Sequence, residues 1–195
     1  MKNKILMGLT CLLVLVCVVG CANTKENTNA KKENQENTDT VKSKCSYYEC
    51  LSKMSRDNTI EELNEIVGFD AKKVEDTTNT TTPEKYEYDF GGDKKITVTM
   101  STYSQGILSI KIEYDKKELK NSKVTLDNLS DMESRINEGV SYEEFKNAVG
   151  GVDGTLIEIG SWNKYLWVAE DGSSNITASF DSEDGELKFF NGLGF

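Results

Sequence analysis

The sequence predicts an α+β fold of two similar units in tandem, each a helix-loop-helix packed on a four-stranded antiparallel sheet. One predicted helical segment occurs in two similar copies, TIEELNEIVGF from Thr59 and SYEEFKNAVGG from Ser141, at an offset of 82 residues. After each copy, apolar and polar residues alternate with the period of two that is typical of strands with one buried face.

The first 20 residues resemble a bacterial lipoprotein signal peptide. Lys2 and Lys4 precede an apolar stretch, residues 5–19, that is shorter than the about 20 residues of a membrane span. The stretch ends in VVGC, which resembles a lipobox, and this resemblance implies cleavage before Cys21 and its lipidation with acyl chains such as palmitate. We therefore expect a protein anchored by lipid on the extracytoplasmic side of the cell membrane. An ordinary secretory signal or an N-terminal anchor helix is the alternative.

Residues 21–44 are predicted to be the lipidated cysteine and a disordered tether. The segment after Cys21 is rich in Asn, Thr, Lys and Glu, has no aromatic residue, and has one β-branched aliphatic residue, Val41. Such a composition cannot bury enough apolar surface to offset the entropy of ordering the chain. A solvated spacer is the expected role, and a binding role is the alternative.

The remaining 151 residues, 45–195, carry 16 basic and 29 acidic side chains, a formal charge of −13. This charge argues against nucleic acid and against an anionic bilayer surface as partners, and it would steer a basic partner toward the protein. Alternatively, the acidity only keeps an exported domain soluble.

Cys45 and Cys50 are the two cysteines left after the signal peptide and the lipidated residue are set aside. An even pair outside the cytosol is a candidate disulfide, provided that Cys45 precedes the first helix. The chain has no His, and no further thiol accompanies the pair, so we expect no metal site and no cofactor.

The two units are assigned to residues 45–114 and 126–195. Each repeated helix begins with a capping box, in which a hydroxyl and a Glu three residues later satisfy backbone N–H groups, and each is expected to end at a glycine in the left-handed conformation. The boxes are Thr59 with Glu62 and Ser141 with Glu144, and the glycines are Gly68 and Gly150. The upstream segments SYYECLSKM and LSDMESRI each predict a shorter preceding helix.

The predicted strands occupy matching places in the two units. Unit one has strands near 73–76 and at 86–90, 96–100 and 107–114, and unit two has strands at 155–159, 164–170, 176–180 and 186–190. Glycine- and aspartate-rich turns separate them, and residues 115–125 are read as a polar connector. The alternation places Tyr86, Tyr88, Phe90, Ile96, Val98, Met100, Leu108, Ile110 and Ile112 on the helix-covered face of unit one. The corresponding face of unit two has Tyr165, Trp167, Ile176, Ala178, Phe180, Leu187 and Phe189.

This layout resembles the β-lactamase inhibitor protein family and its BLIP-like relatives. The resemblance covers the 151 residues of the folded part and rests on the tandem arrangement, the capped helix ending in Gly, and the Asp-Gly turn before an apolar strand. The resemblance implies a concave sheet surface that binds a protein partner. It also implies an acidic residue that a hairpin of the first unit inserts into the partner, and Asp93 in FGGD matches this residue. A single unit also resembles the small lipoprotein of the outer-membrane assembly machinery, so a structural envelope scaffold is an alternative.

No catalytic constellation is recognised. Without His, the commonest general base and the Ser-His and Cys-His pairs are absent. The carboxylate pairs at Glu61 and Glu143 lie in a first helical turn, where capping and the helix dipole account for them. DSEDGE, residues 181–186, is short for a calcium loop and is expected to be a hairpin turn. We therefore expect a binding protein and not an enzyme.

The face of the sheet opposite the helices is the predicted binding surface. An antiparallel sheet with helices on one side leaves its other side open. The predicted apolar anchors on that side are Leu166, Val168 and Phe190, and the predicted acidic flanks are Glu87, Asp89 and Asp93. The partner is expected to be a protein, with a β-lactamase as one candidate, and capture of a small ligand between the sheets is the remaining alternative.

Overall fold

The computed structural model describes residues 42–74, 83–127 and 129–193. In these ranges the first half of the fold has two helices and four strands in sequence order. They are α1 (Tyr47–Lys53), α2 (Ile60–Val67), β1 (Lys72–Val74), β2 (Glu84–Asp89), β3 (Lys95–Met100) and β4 (Ile107–Ile112).

The second half repeats this order after a connecting segment. The connector contains a 3₁₀ turn at Lys116–Leu119 and a short strand, β5 (Lys120–Asn121). There follow α3 (Ser130–Arg135) with a 3₁₀ turn at Ile136–Glu138, α4 (Tyr142–Ala148), β6 (Thr155–Ile159), β7 (Trp162–Ala169), β8 (Asn175–Asp181) and β9 (Leu187–Leu193). The prediction of an α+β protein with an antiparallel sheet is confirmed.

The repeated helices begin as the capping boxes predict. The Thr59 side chain accepts a hydrogen bond from the Glu62 backbone N–H at 3.2 Å, and the Thr59 N–H donates to Glu62 Oε2 at 2.9 Å. Ser141 and Glu144 make the same two bonds at 3.3 and 3.0 Å. Each box satisfies backbone donors at the start of a helix that have no intrahelical partner.

The eight longer strands form one continuous sheet in the order β1-β2-β3-β4-β6-β7-β8-β9, with antiparallel neighbours. The two halves meet where β4 pairs with β6, at Ile110 with Ile159 and at Lys111 with Glu158. The short strand β5 adds to the edge of β7 in parallel, opposite Val168 and Ala169. The sheet therefore crosses from one half to the other without a gap.

Both pairs of helices cover the same face of this sheet. In the first half, Leu63 and Val67 of α2 lie in one buried cluster with Ile96 of β3 and Ile110 of β4. In the second half, the ring of Phe145 on α4 lies 5.3 Å from that of Trp167 on β7.

The pairing register shows that these two covered surfaces are continuous. Ile110 pairs with Ile159, while their neighbours Lys111 and Glu158 pair on the other face. Glu158 also pairs with Lys164, so Tyr165, which follows Lys164, shares the face of Ile159. Among the described residues, the connector's 3₁₀ turn lies on the opposite side, against β7.

Candidate open-face binding surface

One row of paired residues crosses the open face over all eight strands. The row runs through Lys72, Glu87, Thr97, Lys111, Glu158, Lys164, Ser179 and Phe189. Because neighbouring strands lie about 4.8 Å apart, the row is roughly 30 Å long, which suits a protein partner better than a small molecule. We call the surface around this row the open face.

The middle of the open face is a network of ion pairs. Glu158 accepts hydrogen bonds from the ammonium groups of Lys111 at 3.1 Å and Lys164 at 3.0 Å. Burial raises the pKa of the Glu158 carboxyl, but the bonds from the two lysines outweigh burial, so the net pKa lies below its ordinary value. Lys95 and Glu87 form a further pair at 3.4 Å on the first half. Together these three lysines and two glutamates carry a net charge of +1, so the contacts offset most of the charge in the middle of the surface.

An exposed aromatic pair lies at the end of the open face that belongs to the second half. Trp162 at the start of β7 is 49% exposed and Phe189 of β9 is 41% exposed. Their ring centroids are 5.4 Å apart and their planes are at 83°, an edge-to-face contact. Two large aromatic side chains together in water are typical of an interaction site.

Ser179 of β8 is a buried polar residue next to this aromatic pair. It pairs with Lys164 on one side and Phe189 on the other, and its side chain is 1% exposed. Its hydroxyl has no hydrogen-bond partner among the residues that the structure describes. The polar atom therefore retains hydrogen-bonding capacity next to Phe189.

The prediction that Leu166 and Val168 are exposed anchors is wrong. Both lie on the open-face side of β7, as the alternation predicted, but each is only 1% exposed. They belong to the same buried cluster as Leu63 and Ile110 of the first half, and the connector packs against that cluster. Its 3₁₀ turn contacts β7, its Leu119 packs on the cluster that contains both residues, and β5 pairs beside Val168.

The prediction that Phe190 is exposed and Phe189 buried is also wrong. Phe190 pairs with Ala178 on the helix-covered face, and its ring lies 5.4 Å from that of Phe145. The register between β8 and β9 shifts at Ser179 and Phe180, and this irregularity exchanges the faces of the two phenylalanines. Leu108 is likewise 44% exposed instead of buried, beside a register shift in the pairing of β3 with β4.

The predicted acidic flanks are near the surface but at different places. Glu87 and Asp89 lie on the open face, opposite Thr97 and Lys95 respectively. Asp89 also accepts a hydrogen bond from the Gly91 N–H at 2.8 Å, which shapes the turn. Asp93 lies exposed in the turn between β2 and β3.

The signal for Trp162 was present in the sequence. The predicted strand began at Lys164, whereas β7 begins two residues earlier, so the same alternation places Trp162 on the face of Lys164. The exposure of Phe189 depends on a bulge for which the sequence has no local marker.

Of the cysteines with a predicted role, Cys45 and Cys50 are among the described residues and Cys21 is not. Cys45 and Cys50 form a disulfide with an S–S distance of 1.94 Å, and Cys45 precedes α1. The predicted signal peptide, Cys21 and most of the tether lie outside the described residues. Ser43, within the predicted tether and two residues before the predicted boundary, contacts the folded part, because its hydroxyl donates to the Val67 carbonyl at 2.9 Å.

The residues that the structure describes contain no helix that is long and apolar enough to cross a membrane. They also contain no group of three or more Cys, Asp or Glu residues arranged to hold a metal ion.

No protein family, curated protein or solved structure matches this chain. The resemblance to the β-lactamase inhibitor proteins therefore rests on the sequence layout, and no comparison links the chain to that family.

Proposed function

We propose that the chain is a lipid-anchored extracytoplasmic module that binds another protein on the open face, with Trp162 and Phe189 as its apolar anchors. The exposed aromatic pair is the observation that carries the proposal. Aromatic side chains at the centre of an interface each contribute about 2 kcal/mol or more when truncation removes them from a packed contact. The lipid on Cys21 and the tether would keep this face within reach of partners at the envelope.

The ion-paired row supports a protein partner. Lys111 and Lys164 both pair with Glu158, so each of these charged groups already contacts an opposite charge, and the three together carry a net charge of +1 that a partner would have to cover. The folded part as a whole carries −13 and would steer a partner with a basic surface toward itself. Glu87 and Asp89, at the other end of the row, would contribute to this steering and to its salt dependence.

A two-unit BLIP-like arrangement is part of the proposal. Two helices followed by four antiparallel strands occur twice, and the helices of both halves cover one face, which leaves a shared surface for a partner. A β-lactamase is one candidate partner. The chain is proposed to act by binding, without a catalytic step of its own.

Site-specific photo-crosslinking in the cell envelope tests the proposal. A photoreactive phenylalanine analogue at Phe189 should crosslink to one discrete protein. The same analogue at Tyr103, which is 91% exposed in the β3–β4 turn, should not crosslink to that protein. Trp162→Ala should abolish the crosslink made at position 189, whereas Tyr103→Ala should leave it unchanged.

Thermal melting provides the control. Trp162→Ala and Phe189→Ala remove exposed rings and are expected to change stability by less than about 1 kcal/mol. A crosslink of equal strength from positions 189 and 103, or none from either, would contradict the proposed surface.

A further inference from the structure

A second candidate site lies on the helix-covered face, beside the carboxyl end of α1. A cavity of about 670 Å³ is bounded by the α1–α2 loop, the β3–β4 turn and the β8–β9 turn. Its lining is mostly polar, and its apolar part includes Leu156 and Ile159 of β6 and the ring of Tyr165 on β7. This volume is in the range of small-molecule sites.

Arg56 is the positively charged side chain that lines this cavity, and most N–H groups of its guanidinium have no hydrogen-bond partner among the described residues. Its Nε donates to the Ile107 carbonyl at 3.1 Å. Among the described residues, no carboxylate lies within 4.0 Å of it. The other arginine of the chain, Arg135, contacts three carboxylates, those of Asp131, Glu138 and Glu144. An arginine with no carboxylate partner among the described residues, in a chain of net charge −10, points to an anionic group supplied from outside.

Two further polar groups adjoin the cavity. Asn163 lines it, and the buried Oδ1 of Asn163 accepts no hydrogen bond from the described part of the chain. The Tyr165 hydroxyl is a further hydrogen-bond donor, and burial raises its pKa. The site thus combines a planar cation, an unpaired acceptor and a donor beside the apolar part of the lining.

The walls also limit the charge of the ligand. Asp57 and Glu183 line the same cavity, so the lining carries a net charge of −1 and favours a negative charge on the ligand only in direct contact with the Arg56 guanidinium. A single carboxylate next to an N–H donor and an apolar side chain matches these groups. That combination is the chemistry of a peptide carboxyl terminus.

The backbone beside the cavity is strained. Gln105, in the β3–β4 turn, has a φ of +54° and is the one non-glycine residue with positive φ among those described. Its neighbours Ser104 and Gly106 line the cavity. A left-handed non-glycine residue costs about 1–3 kcal/mol and is commonly retained where a binding site requires that shape.

We propose that this cavity binds a short peptide with a free carboxyl terminus and an apolar last side chain. The carboxylate pairs with the Arg56 guanidinium, the peptide N–H donates to Asn163 Oδ1, and the apolar side chain lies on Leu156 and Ile159. The site is on the opposite side of the sheet from the open face, so it is independent of the proposed protein-binding function.

Saturation-transfer NMR on the full chain tests this with the dipeptide Gly-Phe and its C-terminal amide as probes. Gly-Phe should bind about tenfold more tightly than the amide, because the amide cannot form the charged two-pronged contact with a guanidinium. Arg56→Gln should remove this preference, and Arg56→Lys should reduce it by a smaller factor. Arg135→Gln is the matched control and should leave it unchanged.

Circular dichroism identifies any variant that fails to fold. If Arg56→Gln fails to fold, the binding preference of Arg56→Lys tests the role of position 56. Equal binding of the two probes, an unchanged preference in the Arg56 variants, or no saturation transfer from Gly-Phe at about 10 mM would overturn the proposal.

Discussion

The ammonium group of Lys116 donates to the Oδ1 atom of Asn175 at 3.2 Å and fastens the connector to the sheet. Asn175 is buried and pairs with Val168, so the contact lies on the open-face side of β7 and β8. The amide of Asn175 also donates to the Ser173 carbonyl at 2.8 Å. The connector is therefore part of the folded core and divides the open face into a covered and an uncovered part.

This burial predicts opposite outcomes for two leucines. Leu166→Ala should destabilise the protein by about 2–5 kcal/mol, because it leaves a cavity in the buried cluster that contains Leu166. Leu108→Ala removes a side chain that is 44% exposed and should change stability by about 0.5 kcal/mol or less. Urea unfolding of both variants measures the difference. Similar midpoints for the two would mean that Leu166 does not lie in that cluster.

Local signals made the helices predictable. A capping box needs only a hydroxyl and a Glu three residues later, so Thr59 and Ser141 marked the correct helix starts without any knowledge of the tertiary structure. Gly68 and Gly150 likewise have φ values of +95° and +101°, as expected for residues that end a helix. Strand alternation correctly placed Tyr88, Ile96 and Trp167 in the core.

The candidate surface was harder to predict because its exposure depends on long-range contacts. Leu119 of the connector packs on a cluster formed by distant strands, and the polar composition around it gave no indication of that contact. The exchange between Phe189 and Phe190 depends on one irregular position in the β8–β9 ladder. A period of two cannot detect an inserted residue, because one extra residue inverts every assignment after it.

The Glu144 carboxylate should make part of the stability depend on pH. The bond from the Ser141 backbone N–H, followed by the bond from Arg135, lowers the pKa of Glu144 to about 2. A carboxyl with a depressed pKa in the folded state stabilises the protein above its unfolded pKa of about 4.3, and the contribution is lost as pH falls toward 2.

The Glu144→Gln variant measures this contribution. The difference in unfolding free energy between the wild type and Glu144→Gln should shrink as the pH is lowered from about 4.5 to about 2. In Arg135→Gln, the Glu144 carboxyl should titrate at a higher pH, as carbon-13 NMR of the side chain would show. A stability difference that stays constant across this pH range would contradict the role of the carboxylate.

The proposed lipid anchor depends on one residue, Cys21. Cys21→Ser should release the protein from membranes and abolish labelling with a fatty-acid probe, because thioether lipidation requires the thiol. Cys17→Ser, within the proposed signal peptide, is the control and should leave the labelling unchanged. Labelling that persists in Cys21→Ser would remove the lipid anchor from the proposed function.

Two adjacent glycines test how tightly the connector docks on α4. A Cβ at Gly150 would lie 2.1 Å from the Lys123 carbonyl oxygen, whereas a Cβ at Gly151 would meet no atom within 4 Å. Both residues have positive φ, +101° and +71°, so both alanine variants bear the cost of a left-handed side chain, about 1–2 kcal/mol. The steric clash is the difference between them.

Gly151→Ala should therefore cost about 1–2 kcal/mol, and Gly150→Ala about 3 kcal/mol or more, because the Lys123 backbone must move to accommodate the methyl group. That movement would also disturb the bond from the Thr125 N–H to the Val149 carbonyl, which is 3.2 Å long. Amide hydrogen exchange at Thr125 should accelerate in Gly150→Ala and remain slow in Gly151→Ala. Equal destabilisation of the two variants would show that the connector yields freely at Lys123 and that its docking on α4 contributes little to the fold.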